Sequence, residues 1–99
     1  MALLSERSSL GTCVDGILFN IGRARFLSAD PRDVDTKMVA AHIVKAQEWL
    51  LKSKTFGAKD VDFIQKIYTS LDSLSLPYNS QQLFDLYYEC KNHMCTDIE

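Results

Sequence analysis

Proline and glycine are scarce, with two and four residues among 99. So few breakers exclude a collagen-like, low-complexity or loop-dominated chain and leave room for long helices. Cysteine occurs three times, an odd and small number that does not suit a disulfide framework. The start MALLSERSS has neither a basic leader nor a continuous apolar stretch, so reduced thiols and a cytoplasmic location are expected. No apolar run approaches the roughly 20 residues of a membrane span, so no membrane partner is expected. Charge of one sign is not in excess either: 11 Lys and Arg stand against 13 Asp and Glu, a net charge of −2. A dedicated nucleic-acid binder is usually basic, with its cations gathered on one face. Strand alternation with hairpin chemistry is missing, and so are repeats and long linkers.

What the chain does have is apolar content, 46% of residues, ten of them aromatic. That suffices for one modest core in a single helical domain over 1–99. Its charge is uneven: residues 1–54 carry eight basic and six acidic side chains, and 55–99 carry three and seven.

Four helical segments can be read. In the first, Leu10, Cys13, Val14, Ile17, Leu18 and Ile21 recur at the spacing of one buried face. Ser8 or Ser9 is placed to cap it, and Arg23 and Arg25 suit its C-terminal end. Gly11, Gly16 and Gly22 each cost this helix about 1 kcal/mol relative to Ala, which predicts a close helix approach or a frayed end. In SADPRDVD, Asp30 is a candidate N-cap, Pro31 fits the first helical position and Asp33 adds first-turn charge. The second helix then runs to about Ser53, with Val39, Ile43, Ala46 and Leu50 inward and Met38, His42 and Trp49 flanking. Gly57 breaks the chain before a third helix marked by Val61, Ile64, Ile67, Tyr68, Leu71 and Leu74, which Pro77 ends. The fourth helix has the best-defined start. Asn79 and Gln82 resemble a capping box, with Tyr78 and Leu83 at the staple positions. Its inward face is Leu83, Leu86, Tyr87, Cys90 and Met94. The expected fold is all-α, a compact four-helix domain forming an antiparallel or orthogonal bundle.

Chemistry-bearing patterns are sparse. Cys90, His93 and Cys95 supply three ligands where structural zinc wants four, and Cys95 projects roughly 140° from Cys90. Cys90 is therefore read as a buried residue near a helix end, with no metal and no cofactor. His42 falls in the apolar arc as a satisfied core or rim histidine. No nucleophile motif accompanies it, so no enzyme and no small-molecule substrate are expected. Asp30, Asp33 and Asp35, like Asp60 and Asp62, lack the spacing of a calcium loop and fit helix starts instead.

Two surface features remain. On the fourth helix, apolar side chains sweep roughly 200° where one buried stripe needs little over 100°. Phe84 and Tyr88 lie one turn apart on its flank, and Phe19 and Phe26 project together opposite the core face of the first helix. These four are the candidate partner-binding residues, for a protein partner or for self-association. Lys37, Lys45 and Lys52 project within about 80° of one another on the second helix, and with Arg23 and Arg25 they form a candidate nucleic-acid stripe, diluted by Glu48. The functional expectation is a small intracellular protein-binding module acting stoichiometrically as inhibitor, adaptor or assembly factor. Phage or mobile-element accessory proteins that block a host machine are of this type. The alternative is a small DNA- or RNA-binding regulator using the basic stripe.

Overall fold

The computed structural model describes the backbone of residues 4–98 and the side chains of residues 10–94. Its elements are α1 (Leu4–Leu27), α2 (Thr36–Thr55), α3 (Val61–Asp72) and α4 (Ser80–Ile98), with no strand among the described residues. They pack as an antiparallel four-helix bundle, 48 × 21 × 19 Å, the first of the two arrangements that the helix count and short connections left open. The antiparallel sense follows from the paired positions. On α1 and α2, Gly16 meets Trp49 and Asn20 meets His42; on α1 and α4, Gly22 meets Tyr87 and Arg25 meets Phe84. Gln47 of α2 reaches the Tyr68 carbonyl and Asp72 of α3, while Lys54 reaches Gln65. Lys66 of α3 pairs with Glu89 of α4 at 3.3 Å. At 24 residues α1 is the longest helix, about 36 Å at 1.5 Å per residue, and it packs most closely on α2 and α4.

The core is aliphatic. Ile17, Ile21, Val39, Ala46, Leu50, Ile67 and Leu83 are fully buried, and Cys90 and Met94 complete it. Each fully buried Leu, Ile or Val contributes about 1.5–3 kcal/mol relative to exposure. These are the positions the helical spacing assigned inward, with six shifts. Leu18, Tyr68, Leu74, Leu86 and Tyr87 are only partly buried, Leu74 lying past the end of α3 at Asp72, and Val61 is exposed at the first position of α3.

Cap chemistry sets the boundaries. Asp35, not Asp30, caps α2, accepting the Met38 N–H at 3.2 Å. Asp30 instead accepts the N–H of Arg32 two residues on, closing an Asx-type turn that leaves Pro31 and Asp33 outside the helix. The helix α1 already starts at Leu4, so Ser8 and Ser9 lie inside it and do not cap it. The end of α2 falls at Thr55 rather than Ser53. There Gly57 takes φ +87° while Ala58 N–H bonds the Ser53 carbonyl and Gly57 N–H bonds the Lys54 carbonyl, a Schellman ending. Asp60 caps α3 through the Phe63 N–H at 2.9 Å. Asn79 caps α4, accepting from the N–H groups of Gln81 and Gln82, with Leu83 buried in the core and Tyr78 partly buried against it.

Candidate functional site

The two glycine contacts of α1 create different seams. On the α2 side, a Cβ at Gly16 would stand 2.5 Å from the Trp49 ring, so only glycine lets the indole lie against the helix backbone. Next to it, Asn20 is buried and donates its amide to the Gly16 carbonyl at 2.7 Å. Its side-chain oxygen can only accept, so the His42 Nδ1 at 2.8 Å carries the hydrogen. Burial, with Lys45 and Arg23 nearby, holds His42 below its ordinary pKa. His42 is thus the satisfied rim residue expected, with the edge of Phe19 against it at 6.2 Å between centroids. Further along the seam, Thr12, Cys13, Trp49, Lys52, Thr55 and Phe56 line a cavity of about 340 Å³. Lys52 lies 4.7 Å over the Trp49 ring, and burial pushes the Cys13 thiol up in pKa, opposed by Lys52.

On the α4 side, a Cβ at Gly22 would meet the Tyr87 ring at 3.4 Å, an ordinary contact. Here the seam stays open, as a groove of about 320 Å³ lined by Gly22, Arg25, Phe84, Tyr87, Tyr88 and Lys91. Phe84 and Tyr88 pack at 4.7 Å, Tyr87 and Tyr88 meet edge to face at 5.9 Å, and the Arg25 guanidinium lies 4.7 Å over Phe84. Lys91 Nζ is 6.0 Å from the Tyr88 ring.

The structure therefore divides the four aromatics in two. Phe84 and Tyr88 come together in the groove, Phe84 half-buried and Tyr88 44% exposed. Phe19 and Phe26 stand on the outward ridge of α1, 60% and 65% exposed, with the Arg23 guanidinium 5.4 Å from the Phe26 ring. The five cations divide too. Arg23 and Lys45 converge on His42 and Lys52 covers Trp49, whereas Arg25, roughly 160° around α1 from Arg23, belongs to the groove. Lys37 is exposed at the start of α2.

The Cys90-x-x-His93-x-Cys95 stretch is used structurally where it is described. Cys90 is fully buried, and burial with the Glu89 charge pushes its thiol up to about 12. His93 donates from Nε2 to Asp60 at 2.9 Å and stacks on Phe63 at 3.9 Å between centroids. Cys95 lies outside the described side chains. Among the described residues no group of three His, Cys, Asp or Glu side chains is placed to hold a metal ion, and no helix is long and apolar enough to cross a membrane.

Sequence reasoning did not single out Gly22, Tyr87 and Lys91 as groove residues. For Lys91 a signal existed, since Phe84, Tyr88 and Lys91 follow the i, i+4, i+7 spacing of one flank. The chain matches no protein-family model, no curated protein and no solved structure.

Proposed function

We propose that this protein acts by stoichiometric contact with another protein, as an inhibitor, adaptor or assembly factor. Accessory proteins of phages and mobile elements that block a host machine fit the same description. One observation carries the reading: large aromatic side chains stay at the surface although aliphatic residues have already filled the core. Phe19 and Phe26 are each more than half exposed. Apolar area left in water forgoes about 25 cal/mol per Å², and Trp, Tyr and Phe on a surface are the usual anchors of an interface.

The test combines light scattering after size-exclusion chromatography with passage of the protein through lysate from its native host. Capture of one protein in a fixed ratio, lost in Phe19→Ala, Phe26→Ala or Tyr88→Ala while stability changes by no more than about 0.5 kcal/mol, is the expected result. If all three substitutions destabilise the fold by core-like amounts, about 3 kcal/mol or more for Phe, the aromatics are structural and the proposal fails.

A second reading, nucleic-acid binding, rests on the convergence of Arg23 and Lys45 around His42, with Phe19 beside it and Lys52 over Trp49 one flank along. Cations interleaved with aromatics suit a single strand. Binding of that kind weakens steeply with salt and with Lys45→Glu. A protein partner anchored by Phe84 and Tyr88 is expected to be insensitive to Lys45→Glu.

A further inference from the structure

Three features of the groove between α1 and α4 bear on what would fill it. The first is shape. Gly22 supplies a floor without a side chain, and Phe84, Tyr87 and Tyr88 wall it with rings, so about 320 Å³ is open to an apolar side chain from outside. The second is charge. Arg25 and Lys91 both line this space, each against an aromatic ring, and neither pairs with a carboxylate among the described residues. The nearest acids along α4 are engaged elsewhere: Asp85 accepts from Gln81 at 2.9 Å, and Glu89 pairs with Lys66 of α3. In a chain of net charge −2, this groove is locally positive. The third is the state of the guanidinium. Laid over the Phe84 ring it is partly ordered, yet its N–H donors take no described partner, so a carboxylate meets a fork already in place.

We infer that this groove docks an acidic segment of a partner protein: an apolar side chain seats over Gly22 among the three rings, and flanking carboxylates bond Arg25 and Lys91. The inference rests on the protein-binding reading above and specifies the partner's chemistry. Two neighbouring cations match two carboxylates on a short segment. They do not form the longer cationic track that follows the phosphates of a nucleic-acid strand. A single apolar anchor with charged flanks is also the arrangement in which complementary charge sets specificity and on-rate.

The experiment is an NMR titration of the full chain, labelled with nitrogen-15, using three probes: a peptide of about twelve Asp and Glu residues with one central Leu, the same peptide with Asn and Gln, and an oligothymidylate of similar length. The expected result is a shift of the Gly22, Arg25, Tyr88 and Lys91 amides by the acidic peptide, with a dissociation constant at or below about a millimolar. The neutral peptide should bind at least tenfold more weakly, as should the acidic peptide to a variant carrying Arg25→Glu and Lys91→Glu. Both residues are exposed, so that variant keeps its fold, which its amide spectrum verifies. Arg25→Lys, folded and still cationic but without the fork, should bind more weakly than the native chain and more tightly than the charge-reversed variant. Equal shifts with the neutral peptide, stronger shifts with the oligonucleotide, or no shift at these amides would overturn the inference. If Tyr88→Ala abolishes capture of a host protein and the charge-reversed variant does not, the protein-binding reading stands and the acidic complement is wrong.

Discussion

Gly16 and Gly22 lie on the same helix and face different neighbours, and the seams they make are opposites. At Gly16 the missing side chain is replaced at once by Trp49, whose ring occupies the space a Cβ would need. At Gly22 the Tyr87 ring stops at ordinary contact distance and a groove remains. One residue type thus closes an interface in the first case and leaves an opening in the second. The difference lies in the partner: a flat indole can slide over a bare helix backbone, while Tyr87 is held edge to face against Tyr88. Glycine alone therefore does not report whether a helix seam is packed or available. What crosses it decides.

The comparison can be broken in several places. Ile17 is fully buried on α1 between the two seams, so Ile17→Ala should cost about 2–5 kcal/mol in urea unfolding. A loss below about 1 kcal/mol would mean that α1 is not the common spine. Gly16→Ala forces the half-buried Trp49 ring to move, at about 1–3 kcal/mol, against a gain of about 1 kcal/mol in helix propensity. Net destabilisation with altered tryptophan fluorescence is expected. Gly22→Ala meets only ordinary contact and keeps the propensity gain, so it should be neutral or stabilising by up to about 1 kcal/mol. If the two glycine substitutions cost the same, the distinction between a closed and an open seam is lost.

The smallest expected effect is one of pH. His42 sits below its ordinary value of 6.5, through burial first and then Lys45 and Arg23. As pH falls through 6.5 the unfolded chain takes up this proton more readily than the folded one. The urea midpoint should therefore decline from pH 7.5 to 5. Asp60 is held below its ordinary 3.8 and stays ionised across that window, so it adds no slope. Asn20→Asp places a carboxylate where His42 Nδ1 now finds an amide oxygen, which should raise the His42 pKa and flatten or reverse the decline.

Sequence reading reached the helices and most of the core because 3.6-residue spacing is a local property, visible in Leu10 to Ile21 and in Val39 to Leu50. It located the start of α4 because Asn79 has Gln82 three residues on and Tyr78 and Leu83 at the staple positions around it. It misplaced the start of α2 because SADPRDVD offers three aspartates. Which of them caps a helix and which closes a turn depends on the path the chain takes after Pro31. That Phe19 and Phe26 project together opposite the apolar face of α1 was legible from spacing, but whether they were exposed was not, since a flanking helix or a fold-back after Gly22 would equally have buried them; both stand in solvent. The groove was not, because Arg25 and Lys91 meet only through the antiparallel pairing of α1 with α4. The role of Asn20 toward His42 was hidden for the same reason.

Asp60 holds the start of α3 with one oxygen, through the Phe63 N–H, and the far part of α4 with the other, through His93. A single carboxylate therefore ties together two ends that the chain itself separates by a whole helical hairpin. In hydrogen exchange, the amides of the first turn of α3 and those around His93 should open as one unit with a shared protection factor. Protonation of Asp60 below its depressed pKa should release both together.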